Sequence, residues 1–247
     1  RNLTPNEIGQ IAGRAGRYKQ NGTFSYTKQA GNLDPLIINQ IENHSFDSIQ
    51  KIYWRNSELD FSSINSFLSS LKKYPIHSYF IHKKNALDEV NFRNLINDRE
   101  IEKFLISKKN LELLWEICQI PDFEKLFNDN YLLLLKEIFL ILIKNNYSIP
   151  EDWIHKKVSR IENFATGIPE LSIKISQIRT WTYISNNHKW LNNYHHWKEK
   201  TQQIENELSD QLHESLTKKF IDYSSKFFIA KLKSQNIQNF LIKNNNQ

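Results

Sequence analysis

From about residue 32 onward strand signals nearly vanish from this 247-residue chain, and apolar residues recur at helical spacing. Side chains that repeat near every 3.6 residues cannot line one face of a strand, so the pattern restricts the fold to a mainly α architecture. Pro35, Pro75, Pro121, Pro150 and Pro169 punctuate the pattern and mark the ends of a stack of short amphipathic helices. No repeat of fixed period emerges. Ile204, Leu208, Leu212, Leu216 and Phe220 recur at four-residue steps, which predicts one long helix over about residues 194–230. Residues 231–247 are rich in Asn and Gln and end in Asn244-Asn245-Asn246-Gln247, so a frayed tail is expected there.

A hydrophobic content of 39% is that of a globular chain long enough for one sizeable core plus a remnant. Cys118 is the only cysteine, which excludes an intrachain disulfide and a cysteine-rich zinc site and fits a reducing compartment. Its expected role is that of a small buried hydrophobe. The apolar stretch Tyr131 to Ile143 is too short to span a bilayer and contains Lys136 and Glu137, so it reads as a core helix and no membrane partner is expected. The formal charge of +6 and the pI near 9.2 suit a phosphate-backbone partner and equally an ordinary soluble protein.

The first seventeen residues are of a different kind. Thr4-Pro5-Asn6-Glu7 combines a threonine N-cap, a proline at the first helical position and a glutamate at the third, which together make a capping box and start a helix at Pro5. At about 100° per residue, Gln10, Arg14 and Arg17 share one face, while Ile8, Ile11, Ala12, Ala15 and Tyr18 share another that packs inward. Gly13 and Gly16 each cost such a helix roughly 1 kcal/mol relative to alanine. Their place before the two arginines suggests close approach by a ligand, and a polyphosphate suits both the glycines and the cations. The alternative is a pair of solvated cations interacting with the helix dipole at its C-terminus.

Gln10-Ile11-Ala12-Gly13-Arg14-Ala15-Gly16-Arg17 resembles motif VI of superfamily 2 helicases, specifically the Ski-like and mitochondrial degradosome-type RNA helicases. Ile11 departs from the Gln-Arg opening of viral and DExH relatives and fits the Ski-like and degradosome branch. The resemblance implies that Arg14 and Arg17 are arginines directed at the ATP γ-phosphate, with Arg17 as the finger, and that Gln10, Gly13 and Gly16 complete the nucleotide-facing surface. It also implies that residues 1–31 end the second of two RecA-like domains. Gly22-Thr23-Phe24-Ser25-Tyr26-Thr27, bounded by Asn21-Gly22 and Gly31-Asn32, is expected as its closing strand. The expected fold is therefore mainly α: one helix and one strand at the edge of a RecA-like α/β helicase domain, then an all-helical accessory domain over residues 32–230.

Later stretches extend the resemblance as far as about Asp222: Leu36 to Phe61, Leu114 to Phe123, Ile178 to Tyr183 and Leu208 to Glu214 are similar to the accessory region of bacterial degradosome-type helicases. The resemblance implies an ATP hydrolase acting on single-stranded RNA, or DNA, with 3′-to-5′ polarity. It implies ATP and Mg²⁺ bound mainly by another RecA-like domain in cis, a nuclease partner as one option, and a cytoplasmic location, or the mitochondrial matrix in a eukaryote. The chain contains no Gly-x-x-x-x-Gly-Lys-Thr loop, so it is not expected to hydrolyse ATP by itself.

Cations interleave with aromatics at Arg179-Thr180-Trp181 and from Lys189-Trp190 to Trp197-Lys198, which makes Arg179, Trp181, Lys189, Trp190, Trp197 and Lys198 candidates for nucleic-acid contact; Trp54-Arg55-Asn56 is a weaker one. Trp115 and Trp153 sit in apolar settings and read as core. Asp88-Glu89 lacks the preceding apolar strand of a helicase Asp-Glu box and follows motif VI rather than preceding it. His188, His195 and His196 have no carboxylate or cysteine frame around them, so no metal site is expected. From a different class stands the alternative of a non-catalytic helical interaction module that retains an idle motif VI.

Overall fold

The structure is a computed structural model that describes residues 3–15, 22–26, 31–125, 129–162 and 167–244. The chain divides into two compact units. One comprises residues 1–55 and 74–82, the other residues 56–73 and 83–247. The division does not coincide with the compositional change at residue 32.

In the first unit, helices α1 (Pro5–Ala12) and α2 (Pro35–Glu42) pack on each other, and each carries a proline in its first turn. Asp34 caps α2 by accepting from the Leu36 amide at 2.9 Å. Two three-residue strands follow, β1 (Ile52–Trp54) and β2 (Phe80–His82), paired in parallel with Ile52 opposite Phe80, Tyr53 opposite Ile81 and Trp54 opposite His82. This pair corrects the all-helical expectation beyond residue 31. Both segments consist of β-branched and aromatic residues apart from one histidine, and the stretch between them is long enough for a parallel crossover. By contrast, residues 22–26 form no strand, and Thr27 lies outside the described residues. Their composition suits a strand, but among the described residues they have no ladder partner.

The second unit is mainly helical. It contains α3 (Ile64–Leu71), α4 (Leu87–Leu95), α5 (Arg99–Glu102), α6 (Lys108–Cys118), α7 (Asp129–Lys144), α8 (Glu151–Glu162), α9 (Ile168–Ser185) and α10 (Tyr194–Asn244). Side-chain caps start several of these helices: Ser63 accepts from the Ser66 amide at 3.0 Å, Asp98 from Glu100 at 2.9 Å and Ser107 from Asn110 at 3.2 Å. The core centres on Leu114 and Ile117 of α6 with Leu135, Ile138, Phe139 and Leu142 of α7, all fully buried. Beside them Phe67 contacts Phe61, Phe92 and Trp115 at ring-centroid distances of 4.9, 4.6 and 5.0 Å. Cys118 is buried, and burial pushes its thiol pKa up, so it behaves as the apolar filler its setting suggested.

The charges inside the apolar run of α7 tie helices together. Lys136 Nζ lies 2.7 Å from both Asp98 and Glu100 of the α5 turn, and Glu137 pairs with Lys157 of α8 at 2.7 Å. Among the described residues no helix is long and apolar enough to cross a membrane.

The predicted long helix is present as α10, and it is longer than expected: it runs through Asn244, over most of the tail expected to fray. No proline or glycine occurs after Pro169, so nothing in the backbone chemistry stops it. Helix α9 lies antiparallel against its first half. Along the four-residue stripe Ile204 and Leu208 are buried, Leu212 is half-buried and Leu216 is 48% exposed. Coverage of the stripe therefore fades opposite the start of α9, where Leu216 lies near Ser172. The Phe220 side chain lies outside the described residues.

Candidate functional site

Helix α1 starts as its sequence dictates. The Thr4 hydroxyl oxygen accepts from the Glu7 amide at 3.4 Å while Glu7 Oε2 accepts from the Thr4 amide at 2.9 Å, closing the capping box. The helix is shorter than expected. It ends at Ala12, with Gly13 as C-cap in a right-handed conformation, and the chain continues in one tighter turn in which the Arg14 amide donates to Ile11 O at 3.2 Å and the Ala15 amide to Ala12 O at 2.9 Å.

The inward face also differs. Gly9 is the buried residue of α1, Ile8 and Ala12 are half-buried, and Ile11 (59%) and Ala15 are exposed. The cause is Phe46, whose ring packs on Gly9 so closely that a Cβ there would stand 2.6 Å from Cζ. That ring takes the inward position at Gly9 and turns Ile11 outward. Only a residue distant in sequence sets this orientation, which is why helical periodicity alone did not show it.

Gln10 and Arg14 are both exposed on this turn. At Gly13 a Cβ would meet only its own preceding turn, the carbonyl oxygen of Gly9 at a tight 3.2 Å and that of Gln10 at 4.0 Å. Gly13 lines a cleft of about 560 Å³ together with Ala12, Thr23, Tyr26, Glu42 and His44; Gln10 and Arg14 are not among the lining residues. The two glycines thus differ: Gly9 meets the Phe46 ring from another segment, whereas Gly13 meets only the turn that precedes it. Gly16 and Arg17 lie outside the described residues. Among the described residues no group of His, Cys, Asp and Glu is placed to hold a metal ion.

The six candidates for nucleic-acid contact separate by chemistry. Trp181, Trp190 and Trp197 are 5%, 3% and 3% exposed, so none offers a ring face to a base; they are core residues of the second unit, a correction to the stacking role expected for them. Trp181 packs edge-on against Trp153 at 5.5 Å and 70°. The Trp190 carbonyl accepts from the Ile149 amide at 2.7 Å. Arg179 is committed to a helix-to-helix tie, its Nε donating to Glu205 at 2.9 Å while the Thr182 hydroxyl donates to the other oxygen of the same carboxylate at 3.2 Å. Lys189 stands 3.8 Å from Glu116, and Lys198 is exposed. On α9 and α10 the cations and rings alternate in sequence because one helix face is core and the other is solvated, whereas Lys189 and Trp190 lie in the connection between these helices.

The remaining readings resolve simply. Asp88 and Glu89 occupy the first turn of α4, where Glu89 pairs with Arg93 at 2.7 Å. Trp54 is half-buried on β1, and Asn56 Nδ2 donates to the carbonyls of Glu58 at 2.6 Å and Ser70 at 3.0 Å. No family model, curated protein or solved structure matches this chain.

Proposed function

We propose that the chain is the C-terminal portion of an ATP-dependent nucleic-acid helicase of the Ski-like or degradosome type, acting on RNA with 3′-to-5′ polarity, in which the turn after α1 supplies arginines to ATP hydrolysis. The observation that carries the reading is the pairing of exposed Gln10 and Arg14 with a Gly13 that no neighbouring element crowds. A glycine that no other segment covers, beside an exposed guanidinium, suits close approach of a phosphate. In this reading residues 1–31 belong to the edge of a RecA-like domain.

Arg14 and Arg17 would hold the terminal phosphate oxygens, and Gln10 would orient the polar edge of the same surface. ATP, when bound, would supply the phosphoanhydride bond, and its Mg²⁺ would be held mainly by another RecA-like domain in cis. The arginines stabilise the negative charge that spreads over the phosphoryl oxygens as that bond breaks, an effect on the order of 10³- to 10⁵-fold in rate for an arginine finger. The helical second unit serves as scaffold beside the exiting strand.

A second reading has its own observation. The helix stops at Ala12, and the exposed Arg14 just past its C-terminus suits a solvated cation interacting with the helix dipole. On that basis the chain is a non-catalytic helical interaction module with idle arginines. The coding DNA upstream of Arg1 separates the two. The helicase reading expects a phosphate-binding Gly-Lys-Thr loop and an Asp-Glu box on predicted strands in the same frame; an open reading frame that starts just before Arg1 would overturn it.

A further inference from the structure

Helix α10 is divided by charge along its length. From Tyr194 to Thr217 it holds five acidic residues against two lysines, and from Lys218 to Asn244 six lysines against Asp222 alone. A formal −3 is thus followed by a formal +5 on one continuous element. In the first half, His196, Glu199, Gln203, Glu207, Asp210 and Glu214 fall within an arc of about 80° around the helix, and all six are exposed. Glu214 pairs with Lys218 at 2.7 Å and Glu207 accepts from Gln203 at 2.9 Å. Among the described residues no lysine or arginine pairs with Glu199, Glu207 or Asp210.

The second half calls for cover. Leu216 is 48% and Ile221 57% exposed, and past Phe220 the helix continues for 24 residues to Asn244, a length of about 36 Å. Eleven of those 24 residues are apolar, and at 100° per residue their positions are distributed right around the helix. A helix apolar on all sides is stable when packed against others, whereas a lone helix of this length is marginal in water.

We infer that two copies of the chain associate through α10, antiparallel about a two-fold axis between Thr217 and Lys218. In that register residue 209 of one copy faces residue 226 of the other, and residue 204 faces residue 231. Lys226, Lys231 and Lys233 then stand within about one turn of Glu199, Glu207 and Asp210 of the second copy, and the symmetry repeats each contact. A parallel pair would oppose lysines to lysines and carboxylates to carboxylates. A foreign acidic or basic helix would answer one half of α10, whereas a second copy answers both. The apolar residues supply affinity and the charge division supplies direction.

The test is sedimentation equilibrium of the chain from about 1 to about 100 μM, where the mass should rise from 29.5 kDa toward twice that value. Glu207→Lys with Asp210→Lys should weaken association about tenfold or more, because like charges then meet at both symmetric contacts. Lys226→Glu with Lys231→Glu should do the same. Mixing the two double variants, or combining all four substitutions in one chain, should restore association near wild type, with unchanged circular dichroism throughout. A chain that stays monomeric at about 100 μM overturns the inference, as do double variants that associate like wild type or a loss that neither exchange restores. So does a monomer that binds a synthetic Glu-rich helical peptide instead, which would assign the lysine half to a foreign acidic partner. The association involves neither Arg14 nor Arg17, so its failure leaves the motif reading in place.

Discussion

Replacing Trp181 by alanine tests whether the interleaved tryptophans are core or stacking platforms. Trp181 is 5% exposed on α9 and meets Trp153 edge-on at 5.5 Å; Trp153 in turn donates from its indole nitrogen to Glu137 at 3.2 Å and lies under Lys157 Nζ, 5.1 Å from the ring. Truncating a buried tryptophan costs about 3–5 kcal/mol, from lost transfer free energy and the cavity left behind. The aromatic edge contact accounts for about 1 kcal/mol of that loss. For a unit of this size each kcal/mol moves the midpoint by about 2–4 °C, so Trp181→Ala should melt about 6–20 °C below wild type. Trp181→Phe keeps an aromatic ring against Trp153 and should lose about 1–2 kcal/mol. The assay is thermal unfolding followed by far-ultraviolet circular dichroism, with urea titration at 25 °C to check that the slope is unchanged. RNA affinity, measured below the transition, should be unaffected. A variant that melts within about 2 °C of wild type and yet binds RNA about tenfold more weakly would refute the reasoning, because it would place the ring on a surface that bases reach.

Two further perturbations probe the scaffold. Gly9→Ala sets a clash with Phe46, worth about 1–3 kcal/mol of overpacking, against roughly 1 kcal/mol gained in helix propensity; a net loss of exchange protection for the α1 amides is expected, and Phe46→Leu in the same chain should restore it. Asp98 caps α5 and pairs with Lys136, and that pairing with the lysine ammonium holds its carboxyl below its ordinary value of 3.8. Stability from this group is complete above the ordinary value and is lost as pH falls through the depressed one. Urea midpoints should therefore fall below about pH 4, and Asp98→Asn, which keeps the cap and removes the charge, should flatten that part of the profile.

Much of the fold was legible because it rests on local chemistry. The capping box at Thr4 and Glu7, the prolines at helix starts, the buried run of α7 and the lone Cys118 each follow from neighbours within a turn or from solubility alone. What escaped depends on residues far apart in sequence. Phe46 turns α1 by occupying Gly9, and β1 finds β2 across more than twenty residues, so a three-residue strand with no partner in view carried too little signal. The alternation of cations and aromatics misled at Trp181 and Trp197 because a helix presents such residues to different sides, and at Trp190 because the connection between α9 and α10 is itself buried there. In the tail, Asn and Gln suggested fraying, while the absence of any breaker after Pro169 was the better guide to α10.

The central claim is that the arginines after α1 act on ATP. Its most direct test is RNA-stimulated ATP turnover by the full-length gene product carrying Arg17→Ala, with Arg14→Ala beside it. The account predicts a fall on the order of 10³-fold or more for Arg17→Ala, with RNA affinity and melting temperature held near wild type. Turnover that stays at the wild-type rate would contradict it and leave the helical interaction module as the reading to pursue.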